Sequence, residues 1–377
     1  MGRGVLSDAA YNRVASKAKA AGSATHAGEE RRRMGLGLDP LVDPAGHGLI
    51  RRSLSWLEPK DDHFILLRGV AILEETRLDT TGSMGNNVEI AMKVLPTTYK
   101  LLATGKNAVL QRYDTQMITS IFGDEQDECL LARSQAEMDD RIAEQMTLMP
   151  PRNNGWGNGK EDPQYGLFAG AYLTQNSIND YELKGYDFTI SDEPVPDYID
   201  EGNLIRVFGP TVFEKVVENG HSMSKKEIPN TKQVVTDLLK RAHAFFLYVE
   251  TGHHCAGVWE RLFGRERVIT IPNPQFLPYV KTAAIGLTEG VLDLQTVEDF
   301  LADSEIGQTN ARAIKRAVAH IPIGAQAALP NFSKIPLKGA EFAKKGDIWP
   351  MGGESVKNSP SAPKKGSGGK KKDSMWL

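Results

Sequence analysis

The sequence predicts an α/β protein built on a doubly wound, mostly parallel sheet, with helical extensions and a disordered C-terminal tail. Three observations predict it. From position 64 onward, short apolar runs alternate with longer segments of helical period, the pattern of strand, crossover helix and strand. Two Asp-bearing turns, at Asp79 and Asp192, each follow such a run, as loops at the carboxyl edge of an open parallel sheet do. The chain has 377 residues, 25% charged and 40% hydrophobic, which suits one sizeable core plus outlying segments.

Taken in order, residues 1–60 form an extension with an Ala-rich, helical start. The charged run Glu29-Glu30-Arg31-Arg32-Arg33 follows, then a Gly/Pro/Asp-rich connector over 35–48, too irregular to be a core of its own. Residues 61–290 carry the main domain. Strands are expected at 64–73, 117–122, 188–190, 244–249 and 268–271, with helices at 88–102, 135–149, 165–174 and 232–242. Residues 291–335 form a helical extension, with a helix over 294–319 packing as a cap. Over 336–377, Lys, Gly, Ser and Pro dominate. Such a composition cannot bury enough apolar surface to offset ordering entropy.

Composition also bounds the function. The net charge of −3 argues against nucleic acid as the main partner. The basic tail ending in Lys370-Lys371-Lys372 could touch a polyanion by counterion release, but no aromatic interleaving or base-reading motif accompanies it, so a solubilising tail is expected. The two cysteines, Cys129 and Cys255, are far apart and read as free thiols of a reducing compartment. No run approaches about 18 apolar residues, so no membrane span is expected. The N-terminus lacks an apolar signal region, and Leu6 stands where myristoylation requires Ser or Thr. A cytoplasmic location is the expectation.

The densest chemistry lies in Leu78-Asp79-Thr80-Thr81-Gly82-Ser83-Met84-Gly85. One carboxylate and two hydroxyls, from Asp79, Thr81 and Ser83, alternate through a tight Gly-containing turn between an apolar run and a helix. Hard divalent cations such as Mg²⁺ or Mn²⁺ take oxygen donors in octahedral geometry and leave positions for water or a partner's carboxylate. The bland alternative is an Asx or Ser turn that starts the next helix. The helix beginning near Asn86 would aim its positive dipole end at an anion there.

This segment resembles the metal-ion-dependent adhesion site, D-x-[ST]-x-S-(M)-G, of von Willebrand factor A-like proteins. A later segment, Tyr186-Asp187-Phe188-Thr189-Ile190-Ser191-Asp192-Glu193-Pro194, is similar to the family's strand ending in I-T-D-G-x-P, with Glu193 in place of Gly. Between them, Gly155-Trp156-Gly157-Asn158-Gly159-Lys160-Glu161-Asp162-Pro163 is similar to the Gly-rich loop of bacterial members. The resemblance spans positions 64–290 and implies a Rossmann-like sheet with the metal held by Asp79, Thr81, Ser83 and Asp192. The family's third-motif Thr is missing, and Asn158, Glu161 or Asp162 could replace it; Asn158 and Asp162 are the expected ligands. Trp156, Gly82, Met84 and Glu193 would border the partner. Glu74-Glu75-Thr76-Arg77 is a departure, because a strand buried on both faces should be continuously apolar.

The function so implied is that of an adaptor or assembly protein. A Mg²⁺ (or Mn²⁺) site would ligate an Asp or Glu of a protein partner without turnover. Intracellular relatives in the family suggest an AAA+ ATPase as one such partner. Two alternatives stand. The Asp79-Thr80-Thr81-Gly82-Ser83 turn also resembles the phosphorylation loop of haloacid dehalogenase-like phosphotransferases, with Asp79 as nucleophile and 123–128 as a later acidic motif. A metal-free scaffold would keep the fold alone. His221, His253, His254 and Cys255 could suggest zinc, but adjacent ligands on one short loop rarely complete a tetrahedron.

Overall fold

The structure is a computed structural model that describes residues 13, 16–17, 20–47, 57–103, 108–150, 157 and 159–348. Helix α1 (His26–Arg33) precedes a hairpin of β1 (Leu57–Lys60) and β2 (His63–Leu66). The chain continues through β3 (Ala71–Asp79), α2 (Asn87–Val94), α3 (Thr97–Ala103), β4 (Asp114–Phe122), β5 (Leu131–Arg133), α4 (Arg141–Thr147) and α5 (Gln164–Tyr172). Then come β6 (Gly185–Ser191), α6 (Glu201–Phe208), α7 (Val212–Glu218), α8 (Thr231–Arg241), β7 (Ala242–Tyr248), α9 (Ala256–Phe263) and β8 (Val268–Thr270). The last elements are α10 (Leu277–Glu289), α11 (Thr296–Leu301), α12 (Gln308–Val318) and β9 (Glu341–Phe342).

Six strands form the main sheet in the order β5-β4-β3-β6-β7-β8. All neighbours are parallel except β5, which runs antiparallel to β4 at the edge. One face packs against α2, α3 and α10–α12, the other against α5, α8 and α9, and each interface has its own apolar core. The fold is therefore the doubly wound α/β sheet expected. A second, three-stranded antiparallel sheet joins β1, β2 and β9. Cys129 and Cys255 are free and buried. Among the described residues no helix is long and apolar enough to cross a membrane.

Several boundaries move. The strand expected at 64–73 is two strands in two sheets, β2 and β3, with a corner at Gly69, where a Cβ would sit 3.1 Å from the Arg112 carbonyl. Glu74-Glu75-Thr76-Arg77 does not interrupt β3 but lies inside it, fully buried. Residue alternation sends Glu74 and Thr76 to the α10 face and Glu75 and Arg77 to the α5 face. Lys281 of α10 pairs with Glu74 at 2.9 Å. On the other face Arg133 grips Glu75 at 2.8 and 2.6 Å, and Arg77 grips Asp187 with both its terminal nitrogens, one at 2.7 Å.

The helix expected over 88–102 is split at Pro96, which cannot donate a helical hydrogen bond. The one over 135–149 shortens to α4, because Glu137 bridges to Met117 of β4 and Gln145 takes the Gln135 amide. The cap helix over 294–319 divides into α11 and α12 around Gly307, at φ 76°. The disorder expected from 336 does not begin there: β9 pairs with β2, and Tyr181 donates to the Ile348 carbonyl. Residues 349–377, including the lysine-rich terminus, lie outside the described residues.

Candidate metal centre

Strand order reverses at β3, whose chain neighbour β4 lies on one side and β6 on the other. Ligands of open α/β sheets bind at such switch points, outside the carboxyl ends of the strands. The register pairs Asp79 with Phe122 and Leu78 with Ile190. The last residue of β3 therefore lies beside the ends of both neighbours.

The loop after β3 is wound around Asp79. Its Oδ1 accepts from the Thr81 amide at 2.9 Å and from the Thr81 hydroxyl at 2.6 Å, an Asx turn. Its Oδ2 accepts from Ser191 at 2.6 Å. Thr80 anchors the loop to β4 by donating its amide and hydroxyl to the Phe122 carbonyl, both at 3.0 Å. Ser83 Oγ lies 3.3 Å from Thr81 Oγ1 and donates to Asp192 Oδ1 at 2.9 Å. Thr251 donates to the other Asp192 oxygen. Asp79, Thr81, Ser83 and Asp192 thus form one connected oxygen cluster.

A fifth group joins them from the loop before α5. The Glu161 amide donates to the Pro194 carbonyl at 3.0 Å, and the next amide, of Asp162, donates to Gly123 at 3.2 Å. Glu161 is therefore tied to the loops that follow both β6 and β4. It is 5% exposed, its carboxylate faces Thr81 and Asp79, and its Oε2 has no hydrogen-bond partner. Burial, reinforced by the Asp79 charge, pushes the Glu161 carboxyl up to about 10. Burial likewise raises Asp79 to about 7, with hydrogen bonds from Ser191 and Thr81 opposing and the Asp192 charge adding to the shift. Among the described residues no lysine or arginine pairs with Asp79, Glu161 or Asp192.

These residues fit a hard divalent cation. Every donor is oxygen, and the separation of 3.3 Å between Thr81 and Ser83 is near the edge of about 3 Å that an octahedron of Mg–O bonds requires. The orphaned Glu161 oxygen is the kind of buried group that an ion would satisfy. Among the described residues, no three His, Cys, Asp or Glu side chains are grouped to hold an ion by themselves.

The remaining sequence candidates are distributed differently. Asp162 points away, accepting from the Glu125 amide at 2.6 Å and from Gln164 at 2.5 Å. Its neighbour Glu161 therefore occupies the place facing the cluster. Met84 is 1% exposed and belongs to the apolar core, so it is a packing residue and not a partner contact. Gly82 lies in the turn between Thr81 and Ser83 and is half-buried. Glu193 is buried, pairing with His253 at 3.3 Å through one oxygen while the other is unpartnered. Trp156 and Asn158 lie outside the described residues. The sequence did not point to Ser191 or Thr251; Ser191 stands beside Asp192, but nothing local marks Thr251. The imagined zinc group does not assemble: His221 contacts Arg241 at 2.9 Å and the Tyr172 ring, whereas His253 faces Glu193.

No family model matches the chain, and no curated protein matches it. Among solved structures it is similar to the pilus adhesin SpaC from Lactobacillus rhamnosus GG, at 12% identity and a TM-score of 0.35. The match covers 62% of this chain and 34% of that one, so the chain spans about a third of the adhesin's length. A likeness of that size carries no argument about fold or function.

Proposed function

We propose that this chain is a von Willebrand A-type protein that binds another protein through a divalent cation, acting as an adaptor or assembly factor and not as an enzyme. The observation that carries the reading is the convergence of Asp79, Thr81, Ser83 and Asp192 at adjacent strand ends, with paired hydroxyls and, among the described residues, no lysine or arginine paired with the aspartates. Mg²⁺ or Mn²⁺ is the ion the donors suit. When bound, it supplies a Lewis-acidic position that accepts an oxygen from an Asp or Glu of the partner. Thr81 and Ser83 offer the ion their hydroxyl oxygens, while Asp79 and Asp192 orient those hydroxyls and balance its charge. Ser191 and Thr251 hold the two aspartates in place. The family likeness makes an AAA+ ATPase one candidate partner, and the cytoplasm the matching location.

The phosphotransferase alternative is less well supported. Both oxygens of Asp79 accept hydrogen bonds, which lowers their nucleophilicity, and no lysine or arginine among the described residues pairs with it to hold a phosphate. Calorimetry and thermal unfolding with Mg²⁺ and Mn²⁺ test the proposal, because an ion that binds the native state raises its stability by mass action. Wild type is expected to bind and to melt higher with the metal, and Asp79→Ala to do neither. No shift in either protein would leave the metal-free scaffold as the reading.

A further inference from the structure

We propose that Glu161 is itself a ligand of the ion, occupying the coordination position that a partner's carboxylate would take, so that an acidic partner binds by displacing it. The inference rests on the metal-site reading above and adds the regulation of that site.

Glu161 is carried by a loop pinned on both sides, to Pro194 beyond Asp192 and to Gly123 beyond β4. The pinning brings its carboxylate to Thr81, which with Ser83 supplies the hydroxyl oxygens. Oε2 is buried and unpartnered. A buried carboxyl oxygen without a donor is costly, and that cost favours the protonated acid while no ion is bound. A cation between Glu161 and the two hydroxyls removes that cost. Asp162 cannot serve, because both of its oxygens are engaged elsewhere.

The consequence is electrostatic. Two aspartates and one divalent ion make a neutral site that welcomes an incoming carboxylate. An ion that takes Glu161 as a ligand releases its proton; with the carboxylate in the shell the site then carries a net negative charge, and a further carboxylate is repelled unless Glu161 withdraws. The chain thus holds its own competitor for the partner's acid, and the resting protein keeps its ion without a partner.

The test uses the full chain with Mn²⁺ alone as the probe, followed by calorimetry and by water-proton relaxation, which counts exchangeable waters on the ion. Glu161→Gln keeps the shape and removes the charge. Its expected result is a loss of Mn²⁺ affinity of about tenfold or more, one more exchangeable water, and a fall in relaxation when acetate is added that wild type does not show. Glu161→Thr repeats the comparison if the amide variant misfolds. Unchanged affinity and water count in both variants, with Asp79→Ala still unable to bind, would overturn the role of Glu161 while leaving the metal site standing. Absence of Mn²⁺ binding in wild type would overturn both.

Discussion

Asp79 is the residue on which the site turns, and its burial gives it a measurable signature. Its carboxyl, near 3.8 when exposed, is raised to about 7 in the fold, first by burial and then by the charge of Asp192. A carboxylate whose folded value is raised favours the native state while it is protonated. The contribution is complete below the unfolded value and is lost as pH climbs through about 7. The metal-free protein, held in chelator, should therefore become less stable between about pH 4 and pH 7, by roughly 4 kcal/mol at most from this group. Glu289, also pushed to about 7 by burial and held by Tyr113 and Tyr186, slopes the same way. Asp79→Asn should thus flatten denaturation against pH in part. An unaltered slope in that variant would mean that Asp79 is charged throughout. Much of this cluster was legible because Asp79, Thr81 and Ser83 alternate within one short turn and Asp192 follows a recognisable strand. Glu161 was only one of three choices, since a Gly-rich loop does not reveal from sequence which way its side chains turn.

β3 shows where the element scale departs from simple pattern reading. A central strand with four consecutive polar residues contradicts the rule of continuous apolarity, yet each charge finds a partner on its own face. Those partners lie 110 residues away for Arg77 with Asp187 and 58 for Glu75 with Arg133, so no local signal announces them. The helix α5 is shaped around the arginine: a Cβ at Gly166 would lie 2.6 Å from Arg77 Cδ, and one at Gly170 2.6 Å from its terminal nitrogen. Arg77→Met should cost about 3–5 kcal/mol, because it strands Asp187 as a buried charge. Gly170→Ala adds helix propensity of about 1 kcal/mol, but the displaced guanidinium should cost about 1–3 kcal/mol, leaving the variant destabilised; urea melts would measure both. A Gly170→Ala protein more stable than wild type would show that Arg77 has room to move. The strands β4, β6, β7 and β8 were readable as apolar runs. α10 was not, because it is buried almost all round and so lacks the one-sided stripe on which helix reading depends.

At the scale of the molecule, the N-terminal extension packs against the edge of the sheet and does not merely precede it. The antiparallel edge strand β5 would expose unpaired backbone groups, which invite pairing with another chain. The extension occupies that edge, with the Val42 carbonyl accepting from the Arg133 amide at 2.9 Å. α1 then runs past the end of α4, where Gly28 approaches so closely that any Cβ would collide with the Met149 carbonyl. Thr25 and Glu29 also form one wall of a cavity of about 210 Å³, whose other side includes Thr80, Gly85 and Asn86 of the ion loop. Two roles for the extension are separable. If it serves the sheet, Gly28→Ala should lift α1, lower the metal-free melting midpoint by an amount equivalent to about 1–3 kcal/mol, and speed proteolysis within 20–47. The Mn²⁺-induced rise should remain, because the proposed donors come from the loops after β3 and β6 and before α5. If the extension shapes the site as well, the rise should shrink along with the midpoint. The donor geometry favours the first outcome: among the described residues, the hydrogen bonds that fix Asp79, Thr81, Ser83 and Asp192 come from the site's own loop, the end of β6 and the loop after β7, and none from the extension.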